Sequence, residues 1–282
     1  MTKAWITGAG GLIGSYLARS ASACAPHLAV RPLTRDQFDL LDFNAVRQQF
    51  RDDAPDLVIH CAALSKSPEC QKHPDLAWKL NVDLTAMLAE LARQIPLLFF
   101  STDLVFDGHT GNYDETSPTN PPGVYGQTKV AAEKIILANP RHTVIRTSLN
   151  GGISLAGDRG FNEQLRKAFA ADETLRLFVD EYRCPIAASV TARAVWELLI
   201  QNRPGLYHLA GSEKLSRWQI GTLLAARWPQ LHPKIEAASL KEYAGAPRSP
   251  DTSLNCAKAQ ALLSFPLPGF TQWLRDQPDE TF

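Results

Sequence analysis

The chain has 282 residues, with 29 Lys+Arg against 29 Asp+Glu, 45% apolar and 21% charged residues. That composition belongs to a folded globular protein and excludes intrinsic disorder, and the balanced charge leaves no basic footprint for nucleic acid or an anionic membrane surface. The five cysteines (Cys24, Cys61, Cys70, Cys184, Cys256) are odd in number and show no Cys-x-x-Cys or Cys/His pairing. They argue against a disulfide framework and a metal site, and for a reducing, cytoplasmic setting.

No stretch reaches the roughly 18 uninterrupted apolar residues of a membrane span. The N-terminal Lys3, the apolar run Ala4 to Ala18 and Ala21-Ser22-Ala23 imitate a signal peptide, but three regularly spaced glycines explain the run better. Lys3 to Thr7 reads as a strand that breaks into Gly8-Ala9-Gly10-Gly11-Leu12-Ile13-Gly14 before a helical pattern begins. Leu28 to Leu33 then predicts a strand, Phe43 to Phe50 a helix, Asp56 to Cys61 a strand and Pro74 to Arg93 one long helix. Ile95 to Ser101, Tyr125 to Asn139 and Thr143 to Thr147 continue as strand, helix and strand. Strands alternating with helices at this interval imply right-handed crossovers and an α/β, doubly wound parallel sheet.

After about residue 148 the alternation weakens, and little strand signal is left between Leu149 and Leu177. Thr191 to Gln201 (helix) and Gly205 to Leu209 (strand) look like returns to the sheet. The expected division is a nucleotide-binding domain of residues 1–148 plus about 185–211, and a smaller, discontinuous C-terminal substrate domain of about 149–184 plus 212–282. Trp196, Trp218, Trp228 and Trp273 are expected to pack helix faces of that second domain.

Gly8, Gly11 and Gly14 follow a strand and open a helix, where a dinucleotide pyrophosphate can approach bare N–H groups and the positive helix end; a turn used only for close packing is the alternative. About 20 residues beyond the last glycine, such sites place an acid on a ribose hydroxyl or an arginine on a 2′-phosphate. Arg35 and Asp36 stand there side by side; Arg35 favours NADPH, and Asp36 keeps NADH open. Asp39 and Leu40 offer a polar head and an apolar neighbour for an adenine.

Tyr125 and Lys129, at i and i+4 of a helix, share a face, so the ammonium is expected to lower the phenol pKa and ready Tyr125 for proton transfer. Taken alone, Tyr-x-x-x-Lys is also an ordinary surface pair. Ser101-Thr102-Asp103 follows a strand, at the end where open parallel sheets keep their sites, and Thr102 can bond the same substrate oxygen. His60, Cys61 and Cys184 read as packed core residues, and His73, His109, His142, His208 and His232 have no metal-like spacing.

Together, the glycine turn, Cys61-Ala62-Ala63, Asn81-Val82, Ser101-Thr102-Asp103-Leu104-Val105-Phe106-Asp107-Gly108 and Tyr125-x-x-x-Lys129 resemble the extended short-chain dehydrogenase/reductases, closest to the dTDP-4-dehydrorhamnose reductase group. Arg146-Thr147-Ser148, Val179-Asp180 with Pro185, and Ala246-Pro247-Arg248 through Leu254 extend the resemblance to nearly the whole chain. It implies a Rossmann fold and a Thr102, Tyr125, Lys129 catalytic set that reduces a 4-keto nucleotide-sugar with NADPH. It further implies Gly8, Gly11, Leu12 and Ile13 at the pyrophosphate, Asp39 and Leu40 at the adenine, and Cys61, Ala62 and Ala63 at the adenosine. Asp103, Leu104, Val105 and Arg248 are implied at the substrate, with Arg248 on its diphosphate. No metal is implied, and a homodimer is compatible.

The chain departs from that pattern at Leu104 (usually Tyr), Leu149 (usually Trp), the inverted Phe161-Asn162 and Ser249 (usually Pro). The resemblance also covers the non-catalytic beta subunit of methionine adenosyltransferase and, more distantly, nucleotide-sugar epimerases and dehydratases.

Overall fold

In the computed structural model, which describes residues 2–278, the alternating sequence pattern becomes one six-stranded parallel sheet. In chain order its first half comprises β1 (Thr2–Thr7), α1 (Leu12–Cys24), β2 (Leu28–Leu33), α2 (Phe43–Asp53), β3 (Leu57–His60), α3 (Ser67–Lys72), α4 (Pro74–Trp78), α5 (Leu84–Leu91), β4 (Leu97–Thr102), α6 (Val124–Leu137) and β5 (Thr143–Thr147). The second half comprises β6 (Asn150–Gly151), α7 (Phe161–Ala170), β7 (Thr174–Phe178), β8 (Tyr182–Arg183), β9 (Ile186–Ala187), α8 (Ala188–Ile200), β10 (Gly205–Leu209), β11 (Leu215–Ser216), α9 (Arg217–Arg227), β12 (Lys234–Ala238), α10 (Ala257–Gln260) and α11 (Phe270–Asp276).

The sheet order is β2-β1-β3-β4-β5-β10. Its central strands are apolar on both faces because both are covered, as crossover helices require, while the edge strand β2 keeps Arg31 and Pro32 exposed. Ala4, Ile6, Ile59, Leu98, Phe100 and Ile145 face one buried cluster, while Trp5, Val58, Leu97, Phe99 and Val144, one residue out of step, face the other. On the first face α1 packs against α8, and Trp196 sits there, its Nε1 bonded to Ser20 Oγ at 3.1 Å. Trp196 thus belongs to the sheet side of the molecule and not to the C-terminal body. Its position on α8 carries it onto the sheet.

The long helix expected over Pro74 to Arg93 is three pieces, with a π-helical turn, Lys79–Asp83, between α4 and α5. Such a turn inserts one residue into the helical register and marks functional positions. Asn81 lies in it. The sequence pattern also misses α3, and it misses β7, which pairs in parallel with β12 in a separate two-stranded sheet. Around that sheet Leu165, Phe169, Leu224, Trp228, Phe270 and Trp273 form a third apolar cluster, as expected for two of the four tryptophans; Trp218 stays 37% exposed. Among the described residues no helix is long and apolar enough to cross a membrane.

Candidate active site

After β1 the chain steps to β2 on one side, then returns to place β3 on the other, so a crevice opens at the carboxyl ends of β1 and β3. Gly8 occupies that point with φ +67°, and a Cβ there would lie 2.6 Å from the backbone N of Ala62, so the turn is held directly against the end of β3. Beyond it, α1 begins at Gly11 with no side-chain cap and no acidic residue in its first turn. Its leading N–H groups and positive dipole end therefore face the crevice without an internal anion. These residues fit a dinucleotide pyrophosphate.

Arg35 and Asp36 are both exposed in the turn after β2. Asp36 is held below the usual carboxylate range by a bond from Thr34. Asp39 accepts from the backbone N–H of Leu41 at 2.9 Å and so shapes its own loop, while Leu40 packs on the apolar face beside Val46. Cys61, Ala62 and Ala63 are half-buried just past β3. Burial pushes the Cys61 thiol far above its ordinary pKa, which makes it inert.

At the end of β4 the chain turns sharply, with Thr102 Oγ1 accepting from the N–H of Leu104 at 3.2 Å. Gly126, in the first turn of α6, lies against that turn: a Cβ there would meet the Leu104 carbonyl oxygen at 2.2 Å. This contact sets Tyr125 beside Thr102. Lys129, one turn on, is 2% exposed and holds its Nζ 3.9 Å from the centre of the Phe99 ring. Thr102, Tyr125 and Lys129 are thus brought together at the carboxyl end of the sheet, two strands from the glycine turn. A narrow cleft beside them is lined by Leu104, Tyr125, Gly126, Pro247 and Ser249.

The electrostatics differ from the sequence expectation. Burial removes water from the Tyr125 phenol, and the Cys70 thiol and Asp103 carboxylate oppose negative charge on it, so its pKa is raised, the Thr102 hydroxyl acting weakly the other way. Lys129 does not ready a phenolate. Burial lowers its own pKa to about 7, against the pull of Glu133. Tyr125 is therefore a phenol that holds its proton at neutral pH, the state suited to giving one away.

Two of the residues expected at the substrate are placed elsewhere. Asp103 is 4% exposed, its oxygens accepting from Ser148 (2.7 Å), Thr252 (2.9 Å) and Thr102 (3.1 Å), with Arg183 at 3.7 Å. Val105 is fully buried with Phe106 and Tyr113. Arg248 reaches the region, but Glu181 takes both faces of its fork, at 2.8 Å on Nε and 2.9 Å on Nη2. Asp103 and Arg248 are held inward by polar partners that lie far apart in sequence, Ser148, Thr252 and Glu181, whereas Val105 is drawn into an apolar cluster.

Sequence reasoning missed a chain of hydrogen bonds behind the site. Thr85 donates to the Asn81 carbonyl (2.7 Å), so His60 Nε2–H donates to Thr85 (3.1 Å) and His60 Nδ1 accepts from Thr7 (2.7 Å). Burial, with Lys129 nearby, lowers the His60 pKa to about 3 and keeps the ring neutral. Asn81 Nδ2 donates to Thr128 (3.0 Å), which donates to the Tyr125 carbonyl (2.7 Å). The π-helical turn thereby ties β1 and β3 to the first turn of α6.

Among known proteins, the family model described as the RmlD substrate binding domain matches residues 2–281. A dTDP-4-dehydrorhamnose reductase of Sinorhizobium fredii is 31% identical over 285 residues, covering 96% of this chain and 94% of that protein. Methionine adenosyltransferase 2 subunit beta of Bos taurus is 28% identical over 273 residues, covering 91% of this chain and 81% of that one. The crystal structure of a dTDP-4-dehydrorhamnose reductase from Bacillus anthracis in complex with NADP superposes with a TM-score of 0.89 at 21% identity, covering 98% of both chains.

Proposed function

The chain belongs to the RmlD substrate binding domain family, a group of NAD(P)-dependent oxidoreductases, and on that premise we propose that it reduces the keto group of a 4-keto nucleotide-sugar with Tyr125 as proton donor. The observation that carries the reading is the convergence of Thr102, Tyr125 and Lys129 on the carboxyl edge of the sheet, with the phenol protonated. Gly8, Gly11, Leu12 and Ile13 bind the pyrophosphate through backbone N–H groups; Asp39 and Leu40 serve the adenine; Cys61, Ala62 and Ala63 line the adenosine side. Arg35 is exposed and free of side-chain partners among the described residues, which favours a 2′-phosphate and hence NADPH over NADH.

A bound nicotinamide would supply hydride to the carbonyl carbon. Thr102 and Tyr125 bond the carbonyl oxygen, and Tyr125 passes its phenolic proton to that oxygen as negative charge grows there. Lys129, buried one helical turn behind Tyr125 with its Nζ over the Phe99 ring, is assigned to hold the nicotinamide ribose. Leu104 borders the sugar.

We assign residues 1–148 with about 185–211 to cofactor binding, and 149–184 with 212–282 to substrate binding, residues 279–282 lying outside the described part. A reducing, cytoplasmic compartment suits five free thiols. Purified protein should be stabilised by about 2.7 kcal/mol at a cofactor concentration 100 times the dissociation constant, NADPH being the tighter ligand. Absence of any thermal shift with NADPH or NADH would remove the premise.

A second reading is favoured by one observation: Leu149 packs into the apolar cluster with Phe161 and offers the cleft no aromatic face. The chain would then act as a regulatory subunit, like its methionine adenosyltransferase 2 relative. Co-purification of a second polypeptide without keto-sugar turnover would decide for it.

A further inference from the structure

A knot of five charges stands beside the cleft: Glu181 and Asp103 against Arg183, Arg217 and Arg248. Glu181 is 1% exposed. Its Oε1 accepts from Arg183 (2.8 Å) and Arg248 (2.9 Å), and its Oε2 from Arg248 (2.8 Å). Arg183 is further engaged by the carbonyls of Tyr182 (2.6 Å) and Ser249 (3.1 Å). Two of the three guanidiniums are therefore committed, and both carboxylates are saturated.

Arg217 is the exception. Its backbone N–H is tied to the Glu181 carbonyl at 2.9 Å, but its guanidinium has no hydrogen bond or ion pair among the described residues. Instead it lies over Phe161, its Cζ 3.8 Å from the ring centre, a contact that holds the fork without using its donors. Burial, with Glu181 acting in opposition, draws its pKa to about 10, so it is charged at neutral pH. The knot carries one net positive charge, and that charge is Arg217. It also opens α9, an eleven-residue helix, so the positive dipole end adds to it. A half-buried cation whose N–H donors are unpaired is costly, and an anion that completes its five donors recovers that cost.

We propose that Arg217, held by Phe161 and Glu181, is the guanidinium that receives the diphosphate of the substrate, and that Arg248 instead locks Glu181 in place. The assignment rests on the nucleotide-sugar reading and names the specificity-determining cation within it. Phe161-Asn162, in this order, supplies the ring on which the fork lies; its neighbour Asn162 turns the other way, bonding Gly152 in both directions (2.9 and 3.2 Å).

The test is isothermal titration of the full chain, saturated with NADPH, against dTDP, UDP and inorganic pyrophosphate. Loss of a charge-assisted pair weakens binding by roughly 10- to 100-fold. Arg217→Gln should show that loss for all three probes, Arg217→Lys a smaller one, and both should bind NADPH as the wild type does, which also establishes that they fold. Arg248→Gln should lose thermal stability while its folded form binds dTDP within a few-fold of wild type. Unchanged diphosphate affinity in Arg217→Gln, or loss in Arg248→Gln alone, overturns the assignment and leaves the reductase reading standing. A wild type that binds NADPH but none of the three probes overturns both.

Discussion

Glu133, on α6, and Arg146, on β5, form a deeply buried ion pair, and Glu133→Gln is its cleanest perturbation. Their side chains are only 4% and 5% exposed, and two parallel bonds of 2.9 and 2.7 Å join them. Arg146 also stacks over Phe106 at 5.1 Å and donates to a neutral His208 at 3.4 Å, whose pKa burial and Arg146 itself draw down to about 4. Neither Phe106 nor His208 can replace a carboxylate. Removing one partner of such a pair costs about 3–5 kcal/mol, because the survivor stays buried and charged. For a chain of this size that is a melting-point fall of roughly 10 °C. The assay is urea denaturation followed by far-UV circular dichroism, with Glu133→Gln/Arg146→Met as the second variant. The double variant should recover much of the loss, since the stranded charge is gone. A single-variant loss under about 1 kcal/mol, or a double variant no better than the single, would refute the reasoning.

Lys129 has a folded pKa near 7 against an ordinary 10.5, so the fully charged form burdens the folded state below pH 7 and the burden fades as pH rises toward 10.5. Lys129→Met should therefore be more stable than wild type at pH 6–7, with the gap closing by about pH 10 in paired denaturation curves; a constant gap would contradict a buried, desolvated ammonium. Gly126→Ala places a methyl against the Leu104 carbonyl, and overpacking of this kind costs about 1–3 kcal/mol. It should also lower turnover at least tenfold by moving Tyr125 off Thr102, an outcome that unchanged kcat would deny.

The sheet was legible because a strand covered on both faces must be apolar throughout, and runs such as Leu97 to Phe100 can be little else. Leu28–Leu33 and Thr143–Thr147 were readable to the residue from their apolar and β-branched positions, although the edge strand keeps Arg31 and Pro32 exposed and the other buries Arg146 against Glu133. Thr174–Phe178 was not: it pairs only with β12, some sixty residues later, and keeps Arg176 and Thr174 on open water. The π-helical turn at Asn81 was invisible because an extra helical residue leaves the apolar count almost unchanged.

In the candidate site, the glycine turn and Tyr125/Lys129 are local patterns and could be seen. The raised phenol pKa could not, since it follows from burial and from Cys70 and Asp103, which reach Tyr125 only in the fold. The same holds for Arg248 and Arg217. Which arginine is free depends on where Glu181 spends its oxygens, and nothing near Glu181 in sequence says so.

The proposed function stands on Tyr125 giving a proton to a keto-sugar oxygen. Its most direct test is the oxidation of NADPH by dTDP-4-dehydrorhamnose, followed by loss of reduced-nicotinamide absorbance, in wild type and Tyr125→Phe. Turnover by the wild type is expected, with a fall of roughly 100-fold or more in kcat for the variant and NADPH affinity unchanged. Equal turnover by the two proteins would contradict it.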